Sequence, residues 1–166
     1  MTEIADILLY PDPRFSRTAA AQPVDDALRA IGASLLATAR QHRAYGLAAV
    51  HIGQVAPVVV VTCGPPEQRD YRLLYNPVIL SASEAREPGL EGSVSLPGLE
   101  VEIVRPTSVE LSYDDAEGVR CDMSLSGFPA RVAQHEIEQM NGIFFLEKLS
   151  RLKRDAALRR FRKLSR

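Results

Sequence analysis

The segment Gln134-His135-Glu136-Ile137-Glu138-Gln139 carries the clearest signal of fold and chemistry in the 166-residue chain. It lies between Pro129 and Met140, where a Pro at the start and Asn141-Gly142 at the end predict the bounds of a helix. A metal-binding HExxH helix presents histidines at i and i+4 on one face, with a Glu that activates bound water. This segment has the first His and the Glu, but it has Gln139 at i+4. Taken alone, it is therefore weak evidence for a metal site.

Two other segments make the helix motif more informative. Residues 46–53 read GLAAVHIG and follow a predicted amphipathic helix that runs from Pro23 to about Arg43. Residues 91–98 read EGSVSLPG and precede the late strands. Together with the helix motif, they resemble the three signature motifs of the peptide deformylase family, in the same order and at the same spacing. The resemblance also includes the PDPR turn at 11–14, the pair Asn76-Pro77, Arg105 with Pro106, and Gly142 after the helix.

The resemblance implies an α+β fold in which antiparallel or mixed β-sheets pack around the central helix that bears the HExx motif. The middle of the chain fits this expectation, because its β-branched and alternating apolar runs predict strands separated by turn residues. The predicted strands lie at 58–61, 72–80, 101–104, 108–113 and 120–125. We expect one deformylase-like domain over residues 1–150, followed by a basic helix or tail over residues 151–166.

The resemblance assigns three metal-ligand positions, and this sequence fills two of them with poor ligands. In the family, one Cys and two His hold an Fe(II)- or Zn-type ion; the matching positions here are Ser93, His135 and Gln139. A neutral hydroxyl and an amide bind such ions far more weakly than a thiolate and an imidazole do. The two exchanges should remove most of a binding free energy on the order of 10 kcal/mol. We therefore expect no metal cofactor in the family's geometry, and no formyl-group removal that depends on it.

The resemblance also assigns the residues around the metal positions. Glu136 keeps the place of the general acid/base. His51 stands where the family has a Gln that helps to bind the formyl oxygen, and Val94 keeps a backbone N–H that faces this oxygen. The remaining substrate-cleft positions are Gly46, Leu47, Gly92 and Glu100, the last of which is an Arg in many members. The resemblance thus implies a preserved cleft with altered chemistry.

Three interpretations of this site stay open. In the first, the cleft still accepts a peptide N-terminus or a small acylated ligand, but formyl groups are no longer removed. In the second, the chain is an active metallohydrolase with a rebuilt site, in which His51 and His135 share a metal that Glu136 or water completes. In the third, Ser93 is a nucleophile near His135, with Glu136 as its orienter and the Val94 N–H as oxyanion donor.

Charge is distributed unevenly along the chain. The net charge is −1, but residues 151–166 combine eight Lys/Arg with the single Asp155, a balance of +7. With apolar residues at regular spacing, this segment can form a basic amphipathic helix that packs on the domain. The alternative is contact with RNA or another acidic surface, and the resemblance implies the ribosome, with which the family's C-terminal helix associates. The basic residues are Arg151, Lys153, Arg154, Arg159, Arg160, Arg162, Lys163 and Arg166, and the apolar ones are Leu152, Leu158, Phe161 and Leu164.

Composition argues against several other classes of protein. Cys63 and Cys121 form no CxxC pair, and we expect both to be reduced thiols. No apolar run approaches the roughly 18 residues that a membrane span requires. The N-terminal residues Met1–Asp6 lack the pattern of a secretory signal. We expect a cytoplasmic protein that does not contact a membrane.

Overall fold

The computed structural model describes residues 2–165, in which three helices and seven strands follow one another along the chain. The helices are α1 (Asp26–His42), α2 (Phe128–Met140) and α3 (Arg151–Leu164). The strands are β1 (Gly46–Ala48), β2 (Val58–Thr62), β3 (Tyr71–Ala82), β4 (Arg86–Ser93), β5 (Leu96–Pro106), β6 (Ser108–Asp114) and β7 (Arg120–Ser126). The predicted helices and the five predicted strands are present, which confirms the α+β fold class.

The two ends of α1 are set by local chemistry. The side chain of Asp25 accepts a hydrogen bond of 2.8 Å from the backbone N–H of Leu28 and so caps the first turn. At the other end, Arg43 adopts a φ of 52°, the left-handed conformation that commonly ends a helix. Because the helix stops there, the chain turns back into the core at Gly46, which starts β1.

Five antiparallel strands form the main sheet in the order β1-β2-β3-β6-β7. The centre of this sheet is β2, whose residues Val58 to Val61 are fully buried. Val59 and Val61 pack with the apolar residues of α2, whereas Val58 and Val60 pack with those of α1. Helices therefore cover both faces of the sheet, which explains why β2 is apolar throughout and does not alternate.

The strands β4 and β5 form a separate two-stranded antiparallel sheet. Along β5, Leu99, Val101 and Ile103 alternate with exposed residues and face the core. Glu91 of β4 pairs with Val101 and is buried as well, so a carboxyl group enters the core on this face. With the main sheet on one side and this hairpin on the other, α2 occupies the centre of the fold, as predicted.

The C-terminal basic segment is a helix that packs on the domain. In α3, Ala157 is buried, and Leu158 and Phe161 contact the core. Leu152 and Leu164 are instead 77% and 62% exposed, so only part of the predicted apolar stripe is used for packing. Arg166, which belongs to the predicted basic set, lies outside the described residues. Within residues 2–165, none of the helices is both long and apolar enough to cross a membrane.

Candidate functional site

A cleft of about 790 Å³ lies between β1, the β4–β5 hairpin and α2, and residues of α3 contribute to its wall. All but one of the site positions assigned from the sequence line this cleft. They are Gly46, Leu47, His51, Gly92, Ser93, Val94, Glu100, His135 and Glu136. Gln139, one helical turn beyond His135, is 1% exposed and lies outside the cleft wall.

A buried carboxylate holds the inner wall of the cleft together. Glu91 accepts two hydrogen bonds from Arg105, one of 2.7 Å from Nη1 of Arg131, and one of 2.8 Å from Nδ1 of His135. Burial opposes its ionisation, but the bonds from His135 and Arg105 outweigh burial and lower the pKa of Glu91 to about 2. Four bonds fill the acceptor capacity of a carboxylate. Glu91 therefore ties β4, β5 and α2 together and has no capacity left for a ligand.

The bond to Glu91 fixes the ring of His135. Because an ionised carboxylate only accepts hydrogen bonds, Nδ1 of His135 carries a hydrogen. Nε2 is the free nitrogen and lies 3.9 Å from Oε1 of Glu136. Phe145 stacks on the ring, with 5.2 Å between the ring centroids. Burial lowers the pKa of His135, but the Glu91 bond and the nearby Glu136 outweigh burial, so the net direction is upward.

Glu136 lies between the two site histidines. Its Oε2 is 3.7 Å from Nδ1 of His51, and its Oε1 is 3.9 Å from Nε2 of His135. The residue is 5% exposed, and within the described chain Oε2 has no hydrogen-bond partner. Burial therefore raises the pKa of Glu136 to about 7. A carboxyl group that titrates near neutral pH is suited to general acid or base chemistry.

His51 is held as a neutral ring. Nδ1 lies 3.0 Å from the backbone nitrogen of Ala48, which can donate to it, and 3.2 Å from the carbonyl oxygen of Ala48, to which it can donate, so these contacts fit either tautomer of the neutral ring. Burial, reinforced by the nearby His135, lowers the pKa of His51 to about 3. The carbonyl of His51 accepts a 2.8 Å bond from the N–H of Leu8, so the N-terminal segment helps to position the residue. Among residues 2–165, no group bonds to Nε2, although this atom is buried.

The three positions that the family resemblance assigns to a metal do not form a good donor set. The Oγ of Ser93 accepts a 3.1 Å bond from the backbone N–H of Ser95. Both polar atoms of the Gln139 amide are buried without a partner in the described chain. A neutral hydroxyl, one imidazole and one amide bind Fe(II)- or Zn-type ions weakly. Across residues 2–165, no cluster of three or more His, Cys, Asp or Glu side chains is arranged for a metal ion, so the residues present do not fit this cofactor.

The geometry also bears on the serine-nucleophile interpretation. An activated Ser needs its hydroxyl bonded to a base. The Ser93 hydroxyl accepts a bond from the N–H of Ser95 and keeps its own hydrogen free, while the Glu91 bond to Nδ1 leaves Nε2 of His135 available as a base. In the described part of the chain, Ser93 makes no hydrogen bond with His51 or His135. The structure therefore does not support an activated Ser93.

Two residues at the centre of the site were not predicted to have a role. Glu91 was noted only as the first residue of the EGSVS motif, and Arg131 was not noted at all. Arg131 lies four residues before His135, which places both side chains on the same face of α2. Its place on the polar face of this helix, which also carries His135 and Glu138, is the signal that could have identified it. Arg105 was included only through the family resemblance.

The fold and the site define an α+β domain whose central helix presents a His-Glu pair to a cleft, and comparisons identify its family. The family model described as polypeptide deformylase matches residues 4–155. A peptide deformylase of Mesorhizobium japonicum is 34% identical over 164 residues, covering 98% of this chain and 93% of that protein. A peptide deformylase-like protein of Brucella melitensis is 39% identical over 167 residues, covering 96% of this chain and 97% of that protein. The crystal structure of peptide deformylase from Ehrlichia chaffeensis matches with a TM-score of 0.88 at 30% identity, covering 98% of this chain and 97% of that one. The chain belongs to the peptide deformylase family.

Proposed function

We propose that the protein binds a peptide N-terminus, or another small acylated ligand, in its cleft without removing formyl groups by metal-dependent chemistry. The donor set at Ser93, His135 and Gln139 carries this proposal, because it offers one strong ligand at three positions. The cleft supports the binding part, since about 790 Å³ is in the range of sites for small ligands. The pair of His135 and Glu136 is retained beside it.

Calorimetry combined with mass spectrometry tests this proposal. Formyl-Met-Ala-Ser is titrated into the protein in the calorimeter. The mass of the recovered peptide then shows whether the formyl group remains. We expect binding and an intact peptide. The matched variant Ser93→Cys/Gln139→His restores the family's ligand types, and after loading with Fe(II) or Zn we expect it to remove the formyl group. Formyl removal by the unaltered protein at ordinary enzyme rates would overturn the proposal, as would the absence of any binding.

A second candidate function is hydrolysis at a rebuilt metal site. It is favoured by the position of Glu136, which lies 3.7 Å from His51 and 3.9 Å from His135 and has a pKa of about 7. Two histidines without a third protein ligand form a weak site, which makes this the second choice. The His51→Ala variant separates the candidates. Loss of both metal content and activity would support the rebuilt site, and retention of both would refute it.

We also propose that α3 contacts RNA or another acidic surface, such as the ribosome, and that the protein acts in the cytoplasm. The support is the distribution of charge on the helix. Its inner side is taken by Ala157, Leu158 and Phe161. Six basic residues remain exposed to solvent, namely Arg151, Lys153, Arg159, Arg160, Arg162 and Lys163. Such a surface attracts phosphate-rich partners.

A further inference from the structure

The cleft contains hydrogen-bond donors of Arg131 that no protein group in the described chain uses. Nη1 of Arg131 donates to Oε2 of Glu91 at 2.7 Å and to the carbonyl of Ile103 at 2.8 Å, and Nη2 donates to the carbonyl of Glu87 at 2.8 Å. A guanidinium has five N–H donors. The Nε hydrogen and one Nη2 hydrogen are therefore left over, on a residue that lines the cleft.

The position of this guanidinium is fixed by its surroundings. Its three hydrogen bonds connect it to both strands of the β4–β5 hairpin. Gly89 of β4 lies against it, and a Cβ at that position would come within 2.7 Å of both Cζ and Nε of Arg131. A site that is ordered before the ligand arrives loses less entropy on binding. Arg131 is thus a preorganised group rather than a mobile surface side chain.

The charges around Arg131 do not cancel. Glu91 forms ion pairs with both Arg105 and Arg131. Arg105 also contacts Glu138 at 3.1 Å. Glu138 in turn contacts Lys148 at 3.0 Å. Three cationic side chains thus face two carboxylates, and one positive charge is in excess. Two further carboxyl groups line the cleft: Glu136, which lies beside the two histidines, and Glu100, which is on the exposed side of β5.

A second polar atom in the same cleft also lacks a partner. Nδ1 of His51 is in contact with the backbone N–H and carbonyl of Ala48, which leaves Nε2 as the ring nitrogen available to a ligand. His51 is 1% exposed, lines the cleft, and has no partner for Nε2 among residues 2–165. A buried polar atom without a partner is costly, and a ligand group that hydrogen-bonds to it removes this cost. This observation is independent of Arg131 and also indicates a ligand with polar groups.

We propose that the inner cleft is a binding site for a carboxylate, which the free N–H groups of Arg131 recognise while Nε2 of His51 forms a hydrogen bond with a second polar group of the ligand. A guanidinium is suited to this role because its planar donor pairs match the two oxygens of a carboxylate. Arg43 and Arg160 also line the cleft and attract anions toward it. The carboxylate belongs either to a free small acid or to an acidic side chain near a peptide N-terminus. This inference rests on the proposed function, because it specifies the ligand of the same cleft.

Pairs of ligands that differ only in the acidic group test the inference on the unaltered protein. The peptides are acetyl-Asp-Ala-Ser-amide, acetyl-Asn-Ala-Ser-amide and acetyl-Met-Ala-Ser-amide, and the small molecules are hexanoate and hexanamide. Affinities are measured by titration followed in ¹H–¹⁵N NMR spectra. We expect the acid of at least one pair to bind on the order of tenfold more tightly than its amide. The pair that shows the difference identifies the source of the carboxylate.

The outcomes separate this inference from the proposed function. If the peptides bind but the acids show no advantage over the amides, the carboxylate site is wrong and the peptide-binding function stands. If hexanoate alone binds and is preferred to hexanamide, the carboxylate site is supported and peptide binding is wrong. If no ligand binds, both proposals are wrong.

Variants then assign the preference to a residue. Arg131→Leu should abolish the difference between acid and amide, and Arg131→Lys should retain part of it because the charge remains without the planar fork. Arg86→Gln is the matched control, since Arg86 is exposed on β4 and lies outside the cleft; it should leave the affinities unchanged. Circular dichroism verifies the fold of each variant. A folded Arg131→Leu variant that still prefers the acid would overturn the role of Arg131, and the ligand pairs above remain decisive if that variant does not fold.

Discussion

At the scale of single residues, Glu91 is the group on which the inner wall of the cleft depends. Replacing it with Gln leaves the guanidinium groups of Arg105 and Arg131 buried without their shared counter-charge. Removing one partner of a buried ion pair typically costs about 3–5 kcal/mol. We expect Glu91→Gln to lower the free energy of unfolding by this amount in urea denaturation at pH 7.

The neighbouring Glu87→Gln variant is the control for this measurement. Glu87 is exposed on the same strand, and only its backbone carbonyl contacts Arg131, so the bond survives the substitution. We expect its free energy of unfolding to stay within about 0.5 kcal/mol of the unaltered protein. Equal stability of the two variants would mean that the Glu91 network contributes little.

Glu136 makes the stability of the fold depend on pH. Burial raises its pKa to about 7 from a usual value of 4.5, so between these pH values the folded protein holds more protons than the unfolded chain. The corresponding stability is complete below about pH 4.5 and is lost as the pH rises through about 7. In Glu136→Gln this loss is absent. The free energy of unfolding of the variant, minus that of the unaltered protein, should therefore rise by on the order of 1–3 kcal/mol from pH 5 to pH 8.

Urea denaturation at a series of pH values measures this gain. His51 and His135 are present in both proteins, but Glu136 also raises the pKa of His135, so the comparison reports Glu136 together with its effect on His135. A difference between the two proteins that stays constant from pH 5 to pH 8 would show that Glu136 has an ordinary pKa.

The sequence predicted which residues meet at the cleft better than it predicted how they interact. His135 and Glu136 are adjacent in a helix motif, so a local pattern identified them. The bond between His135 and Glu91 joins residues 44 positions apart, and it depends on how the hairpin packs on α2. The role of Arg131 depends in the same way on Glu91 and on the lack of a side chain at Gly89, against which its guanidinium packs. No local pattern contains these contacts.

At the scale of elements, Gly46 allows β1 to approach α2. A Cβ at this position would lie 2.7 Å from Cγ1 of Val132 and 2.9 Å from both Cγ of Glu136 and the carbonyl oxygen of Val60. Gly46→Ala should therefore lower the free energy of unfolding by about 1–3 kcal/mol, measured in urea. Gly64→Ala is the control, because a Cβ there would meet its nearest atoms at 3.6 Å, an ordinary contact distance. Equal stability of the two variants would contradict this close approach.

The basic surface of α3 should bind RNA through charge. We expect the triple variant Lys153→Gln/Arg159→Gln/Arg162→Gln to bind a short fluorescein-labelled RNA more weakly. Its dependence on salt should be shallower by roughly one unit of slope for each lost phosphate contact. The measurement is fluorescence anisotropy at several salt concentrations. Binding that does not change at high salt would contradict an electrostatic contact.

A matched set of substitutions elsewhere controls for net charge. The variant Arg17→Gln/Arg40→Gln/Arg86→Gln removes the same number of charges from exposed positions outside α3. It should bind the RNA as the unaltered protein does. Equal weakening by both variants would show that net charge, rather than the surface of α3, determines the affinity.

The elements that the sequence analysis missed are those with the weakest local pattern. β1 has three residues, Gly46–Ala48, which is too short for an alternation to be visible. β4 reads REPGLEGS, in which Pro88, Gly89 and Gly92 disfavour a strand. Its pairing with β5, whose core-facing residues are buried together with Glu91 of β4, decides its conformation. In contrast, β2 was predicted because four consecutive valines are typical of a buried strand.

At the scale of the whole molecule, the chain keeps the fold of its family, whereas two of the three positions that the family resemblance assigns to metal ligands hold a Ser and a Gln. Glu91 still holds His135 through Nδ1, so the ring keeps a fixed orientation with a free Nε2. Ser93 is hydrogen-bonded to the backbone of Ser95. The polar side-chain atoms of Gln139 have no partner within the described chain. This combination of a fixed His135 and exchanged ligands is the basis of our proposal that the cleft binds a ligand without metal chemistry.

The metal content of the protein purified without air tests this claim most directly. Elemental analysis by mass spectrometry gives the equivalents of iron, zinc and nickel per chain, with the Ser93→Cys/Gln139→His variant as the matched positive control. We expect far less than one equivalent in the unaltered protein and close to one in the variant, because the variant regains a thiolate and a second imidazole. Close to one equivalent of any of these metals in the unaltered protein would contradict the claim.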